Sequence, residues 1–123
     1  ITPTSTSNKI LVRYDVTAAF RDGAYSGGIR VLRGSSSIYV GDADGIRNQA
    51  SSYGWSDSFS YTMWPFGNEF LDSPASTSAL TYKLQFKSGY SGDSMYINRN
   101  YNDGNNTNHG RVPSHIIVME VAG

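Results

Sequence analysis

Hydrophobic residues recur at every second position along much of this chain. Ile10, Val12, Tyr14 and Val16 share one parity within the stretch Lys9 to Phe20, which predicts a strand with one buried face. Arg21-Asp22-Gly23 and the Gly27-Gly28 pair mark a turn. Ile29 and Val31 then predict a second strand, and Ile38 and Val40 a third. Residues 41–52 carry no period and are expected as loop. Alternation resumes at Phe59, Tyr61 and Met63, with Trp55 on the same parity, so the next strand is expected there. Pro65 interrupts it, as proline does at a bend or a sheet edge. Phe66 to Leu71 predicts a short edge strand ending at Asp72-Ser73-Pro74.

The clearest alternation is Leu80 to Lys87. It sets Leu80, Tyr82, Leu84 and Phe86 inward and Thr81, Lys83, Gln85 and Lys87 outward. Ser94 to Arg99 and Ile116 to Val121 complete seven or eight predicted strands. The fold class is therefore all-β, an antiparallel sandwich of two sheets of jelly-roll type or a relative of it, with a small closed barrel as the architectural alternative. The last strand is apolar on both parities, with Ile116 and Val118 on one and Ile117, Met119 and Val121 on the other. A sandwich core covers only one face, so a subunit contact is expected to involve this set.

Composition agrees with that reading. The chain of 123 residues has nine tyrosines, thirteen glycines and no cysteine. Thiolate metal sites, disulfides and thiol nucleophiles are excluded. Ten basic and ten acidic residues balance without clustering, so no nucleic-acid footprint is present. No apolar run approaches the roughly 18 residues of a membrane helix, and membrane insertion is not expected. Residues 1–8, rich in Thr and Ser, read as a linker from an upstream region, and residues 9–123 as one domain.

Candidate chemistry is sparse. Gly92-Asp93-Ser94 echoes a serine nucleophile motif, but Met95 stands where glycine belongs and neither His109 nor His115 adjoins a carboxylate. Asp57, Glu69 and Asp72 are the carboxylates available for a polysaccharide depolymerase. Asp42-Ala-Asp-Gly45 and Asn102-Asp-Gly-Asn-Asn106 are fragments of calcium-loop patterns without the closing Glu, and read as Asx-rich turns. No catalytic residue, metal or cofactor is therefore expected. Trp55 and Trp64 are candidate sugar-stacking platforms, although aromatics in strands more often belong to cores. Arg99 and Glu120 are candidates for an ion pair across the last strands. Residues 100–113 form a loop in which six of fourteen are Asn or Asp, a composition suited to tight, solvated turns.

Leu71-Asp72-Ser73-Pro74, Tyr96-Ile-Asn-Arg99 and Ser114-His-Ile-Ile-Val-Met-Glu-Val121, together with the intervening Asn/Asp-rich loop, resemble the C-terminal domains of tail-fibre-like and structural virion proteins of marine cyanophages and related phages. The likeness spans most of the chain, and its motifs are structural in character. It implies a virion surface appendage, a homotrimer similar to the C1q and tumour-necrosis-factor type, in contact with other virion proteins and with a host-surface glycan or protein. On that reading the receptor-contacting residues are Tyr101, Asn102, Asp103, Asn105, Asn106, Asn108, His109 and Arg111, assisted by residues 41–52. The subunit contact draws on Ile116, Ile117, Val118, Met119 and Val121. A capsid decoration or assembly module without a receptor is the alternative, and a depolymerase a further one.

Overall fold

The computed structural model describes residues 1–21, 24–57 and 61–123. Its eight strands are β1 (Lys9–Phe20), β2 (Ala24–Arg33), β3 (Ser36–Ile38), β4 (Ser52–Asp57), β5 (Trp64–Asp72), β6 (Tyr82–Ser88), β7 (Met95–Ile97) and β8 (His115–Val121). They form two antiparallel sheets packed face to face, an all-β sandwich. In the first sheet β1 is central. It pairs with β5 along one edge, and along the other with β8 over Lys9–Asp15 and β7 over Ala18–Phe20. In the second sheet β2 is central, with β4 and β3 end to end on one edge and β6 on the other.

The core follows from β1. Ile10, Val12, Tyr14, Val16, Ala18 and Phe20 are all essentially buried, and they face Ile29 and Val31 of β2. Each such burial contributes about 1.5–3 kcal/mol for the larger side chains. Two glycines make room for rings. A Cβ at Gly27 would lie 2.5 Å from the Phe20 ring, and one at Gly54 2.8 Å from the Phe66 ring. Phe20 and Phe66 then meet edge to face at 6.3 Å, a favoured aromatic geometry. The Tyr14 hydroxyl crosses the sandwich to share a 2.6 Å hydrogen bond with Ser52 Oγ, so this buried phenol is satisfied. Burial raises its pKa above the usual tyrosine range.

Polar ties close the ends. Arg33 on β2 donates to both oxygens of Asp72 on β5 at 2.8 and 2.7 Å, and Tyr82 on β6 donates to Asp72 at 2.6 Å. The two sheets are thereby joined through one carboxylate. Residues 1–8, expected as a linker, lie along the domain. The Ile1 amine donates to the Leu80 carbonyl, and Leu80 N–H donates back to the Ile1 carbonyl. Glu120 accepts from Thr4 N–H, Thr4 Oγ1 and Asn8 Nδ2 at 2.6–2.8 Å.

Some expectations need correction. The strand expected around Phe59, Tyr61 and Met63 lies earlier, over Ser52–Asp57, while Tyr61 and Met63 are outside any strand; Phe59 lies outside the described residues. Register against β2 decides this, since β4 pairs Ala24–Ile29 through its glycine at position 54. Pro65 does not interrupt but sits within β5 opposite Thr17, tolerated because β5 is an edge strand. Leu80 precedes β6 because it pairs with Ile1. Arg99 and Glu120 do not pair with each other; Arg99 bonds Asp103, and Glu120 holds the N-terminal segment.

Candidate functional site

Three surfaces emerge from the strand alternation. The first is the outer face of the β5–β1–β8 sheet. Directly opposed residues share a face, and Val118 opposes buried Val12 while Ile116 opposes Tyr14. Ile116, Val118 and Glu120 therefore point inward, and Ile117, Met119 and Val121 point out. The five apolar residues expected at a subunit contact are thus divided. Val118 packs against the core. Ile116 lines an apolar groove of about 380 Å³ at the open side of the sandwich, between β6 and β8, with Leu84, Phe86 and Ile97. The outward three continue across the sheet, because Leu11 opposes both Leu71 and Met119. Leu71 (51 % exposed), Met119 (48 %), Ile117 (39 %) and Val121 (38 %) leave a hydrocarbon surface in water.

The second surface is the loop at 98–111. It is held from inside. Asp103 carboxylate oxygens pair with Arg99 at 3.1 Å and Arg111 at 2.7 Å, and Arg99 lies 4.6 Å over the Tyr96 ring. Buried Asn100 accepts from Asp103 N–H at 2.9 Å, and Asn106 accepts from Asn108 N–H at 2.9 Å. The His109 ring packs against Tyr61 at 5.2 Å, and Tyr101 against Tyr96 at 5.5 Å. Asn98 anchors the base in a left-handed conformation (φ 64°), one that asparagine tolerates better than most residues. Its side-chain oxygen accepts a short hydrogen bond from Ser114, and its backbone N–H donates to the Thr17 carbonyl at 2.8 Å. Of the residues expected to meet a receptor, Asn102, Asn105, Asn106, Asn108 and Arg111 are exposed, whereas Tyr101, Asp103 and His109 are half-buried in bracing roles.

The third surface was not anticipated as a unit. On the outer face of the second sheet, Gly28 stands between Tyr53 and Lys87, with Arg30 and Gln85 abreast in the next row. The loop at 41–50 forms a wall over this floor and encloses a pocket of about 120 Å³. A Cβ at Gly28 would lie 2.7 Å from the Tyr53 ring and 2.9 Å from Ala50 Cβ, so glycine is what lets loop and ring close in. The outward Lys83, Gln85 and Lys87 parity was legible in the sequence; its juxtaposition with residues 47–53 was not. Trp55 and Trp64 line one shallow depression between β4 and β5, with Trp55 58 % exposed.

Among the described residues the candidate catalytic groups do not converge. Glu69 opposes Arg13 and faces outward on β5, whereas Asp72 has the inward parity and is engaged by Arg33 and Tyr82. The side chain of Asp57 lies outside those described. Ser94 has no hydrogen bond to His109 or His115 among the described residues. Asp44 pairs with Arg47, and Asp103 with two arginines, so one acid of each calcium-like segment is engaged by protein cations. No cluster of three or more metal-ligating side chains occurs among the described residues. Comparison with protein-family models, curated proteins and solved structures gives no match.

Proposed function

We propose that this domain is a non-enzymatic, self-associating appendage module of a phage particle, a homotrimer that displays its 98–111 loop toward a host surface. The observation that carries the self-association is the outward apolar row Leu71–Leu11–Met119, extended by Ile117 and Val121 over three adjacent strands. Soluble monomers rarely leave such contiguous hydrocarbon uncovered, and rimming polar groups, here Lys9, Arg13 and Glu69, mark protein contact sites. The threefold number and the phage setting rest on the sequence likeness described above. Two of the motifs behind that likeness meet in space, since Asn98 of Tyr96-Ile-Asn-Arg99 bonds Ser114 of the terminal motif. Their shared task is to brace the loop. A loop fixed beforehand loses little entropy on contact, and trimeric display adds avidity.

Sedimentation equilibrium tests the association. The wild-type domain is expected as three subunits, and Ile117→Lys/Met119→Lys as a folded monomer with association weakened by about a hundredfold or more, as for charges buried at an interface. A wild-type domain that stays monomeric at millimolar concentration sinks the reading. Alanine substitution of Asn102, Asn105 and Asn108 with assembly intact is expected to reduce adsorption to host cells. Normal adsorption with those variants would leave an assembly role alone.

A further inference from the structure

We propose that the pocket walled by the 41–50 loop binds an acidic sugar, a pyranose unit carrying a carboxylate or sulfate group. This goes beyond self-association and does not depend on it.

Three cationic side chains, Arg30, Arg47 and Lys87, line the pocket, and among the described residues no carboxylate does. In a chain with zero formal net charge, that is a local concentration of one sign. Arg47 is paired with Asp44, which lies outside the lining. Arg30 and Lys87 meet only neutral amides. Arg30 Nη2 donates to Gln85 Oε1 at 2.9 Å, and Lys87 Nζ donates to Asn48 Oδ1 at 2.8 Å. Among the described residues neither forms a salt bridge. An arriving anion therefore finds two cations whose charge no acid among the described residues has cancelled. In the loop at 98–111, by contrast, both arginines are paired with a protein carboxylate, that of Asp103.

The remaining lining selects a sugar over a bare anion. Asn48, Gln49 and Gln85 bring amide donors and acceptors to the rim, the groups that hydroxyls use. Tyr53 is 48 % exposed, and its ring forms a wall on which a pyranose face can rest. Its hydroxyl is held by Ser26 Oγ at 2.9 Å, which fixes the ring before binding. The wall is also fixed: Gln49 Nε2 donates to the Gly41 carbonyl at 2.8 Å, Gly41 N–H donates to the Ala50 carbonyl, and Ser51 N–H donates to the Ile29 carbonyl at 2.8 Å. A volume of about 120 Å³ admits an acidic group and one edge of a ring, leaving the rest of a glycan chain in solvent.

The test is calorimetric and NMR titration of the assembled domain with trigalacturonate, with its fully methyl-esterified form, and with inorganic sulfate. Trigalacturonate is expected to bind, to weaken as salt screens the cations, and to shift the resonances of Tyr53 and the 41–50 loop. The ester keeps the sugar rings and hydroxyls but replaces each charged carboxylate by a neutral methyl ester. It is expected to bind about tenfold more weakly or worse, as is each of Arg30→Gln and Lys87→Gln, because each removes a charge-assisted contact. Unchanged self-association of those variants shows that they remain folded; if they do not fold, the ester and salt comparisons on wild-type protein decide alone. Equal binding of acid and ester, binding of neither, or sulfate binding as tightly as trigalacturonate overturns the proposal.

Discussion

The outer faces of the two sheets arise from the same alternation and carry opposite chemistry. On the β5–β1–β8 sheet the outward row reads Leu71, Leu11, Met119. On the β2 sheet the corresponding outward row reads Tyr53, Gly28, Lys87, with Arg30 and Gln85 beside it. Inward positions of both sheets answer to one shared core, so their identity says little beyond packing. Outward positions have no such obligation. Where three strands in register all place hydrocarbon outward, the surface suits the protein partner proposed above. Where they place cations, amides and a tyrosine around a glycine floor, it suits the hydrated ligand proposed for it. The comparison predicts separability: changes in the shared core damage both faces together, and outward changes damage one.

The largest effect belongs to the shared core. Gly27→Val sets side-chain atoms against the Phe20 ring and the Lys87 carbonyl, which a Cβ alone would already approach to 2.5 and 2.9 Å. Overpacking of this kind costs about 3 kcal/mol, read as a lowered urea midpoint, with association and glycan binding lost together. Loss of one function at unchanged stability would break the comparison, because Gly27 would then belong to one face.

Next comes the carboxylate joining the sheets. Asp72→Ala strands Arg33 and the Tyr82 hydroxyl, and is expected to cost about 2 kcal/mol, in the range for hydrogen bonds to charged groups; the Arg33 side chain keeps 30 % exposure, which holds the loss below that of a fully buried pair. Tyr82→Phe, removing one of these bonds, is expected to cost about 1 kcal/mol. Burial, and then the bond to Asp72, push the Tyr82 pKa up. Its folded value lies above its unfolded one, so its contribution is complete below pH of about 10 and is lost as alkali ionises the unfolded chain. Urea melts at neutral pH and at pH 11 check both. A smaller alkaline loss in the wild type than in Tyr82→Phe would contradict the sign.

How much of this could be read in advance depends on the range of the interaction. The inward set of β1 was legible because alternation is local, and so was the doubly apolar character of β8. Which parity of β8 faces out was not, since it is decided by pairing with Val12 across more than a hundred positions of chain. β4 was misplaced because Gly54 weakens its strand signal, although Gly54 is what admits the Phe66 ring. The loop at 98–111 was legible from its Asn and Asp content, but the bracing roles of Asp103 and His109 were hidden. Arg33–Asp72 spans 39 positions, and the pocket proposed for an acidic sugar draws on three separate segments.

The smallest effect tests the margin of the apolar face, where β8 ends beside the N-terminal segment. Glu120 is held by the Asn8 side chain and by the backbone and hydroxyl of Thr4, and these bonds lower its pKa below the ordinary glutamate range. Because the folded value is depressed, the stabilisation is present above the unfolded pKa of about 4.3 and fades as pH falls through the folded value. Glu120→Gln is expected to melt slightly lower at neutral pH, with the gap to wild type closing on acidification. Glu120 has the inward parity of β8, opposite to Ile117 and Met119, so the variant is expected to associate normally. If it instead dissociates while remaining folded, the N-terminal segment is part of the self-association surface, and the division between inward and outward positions of β8 fails at its end.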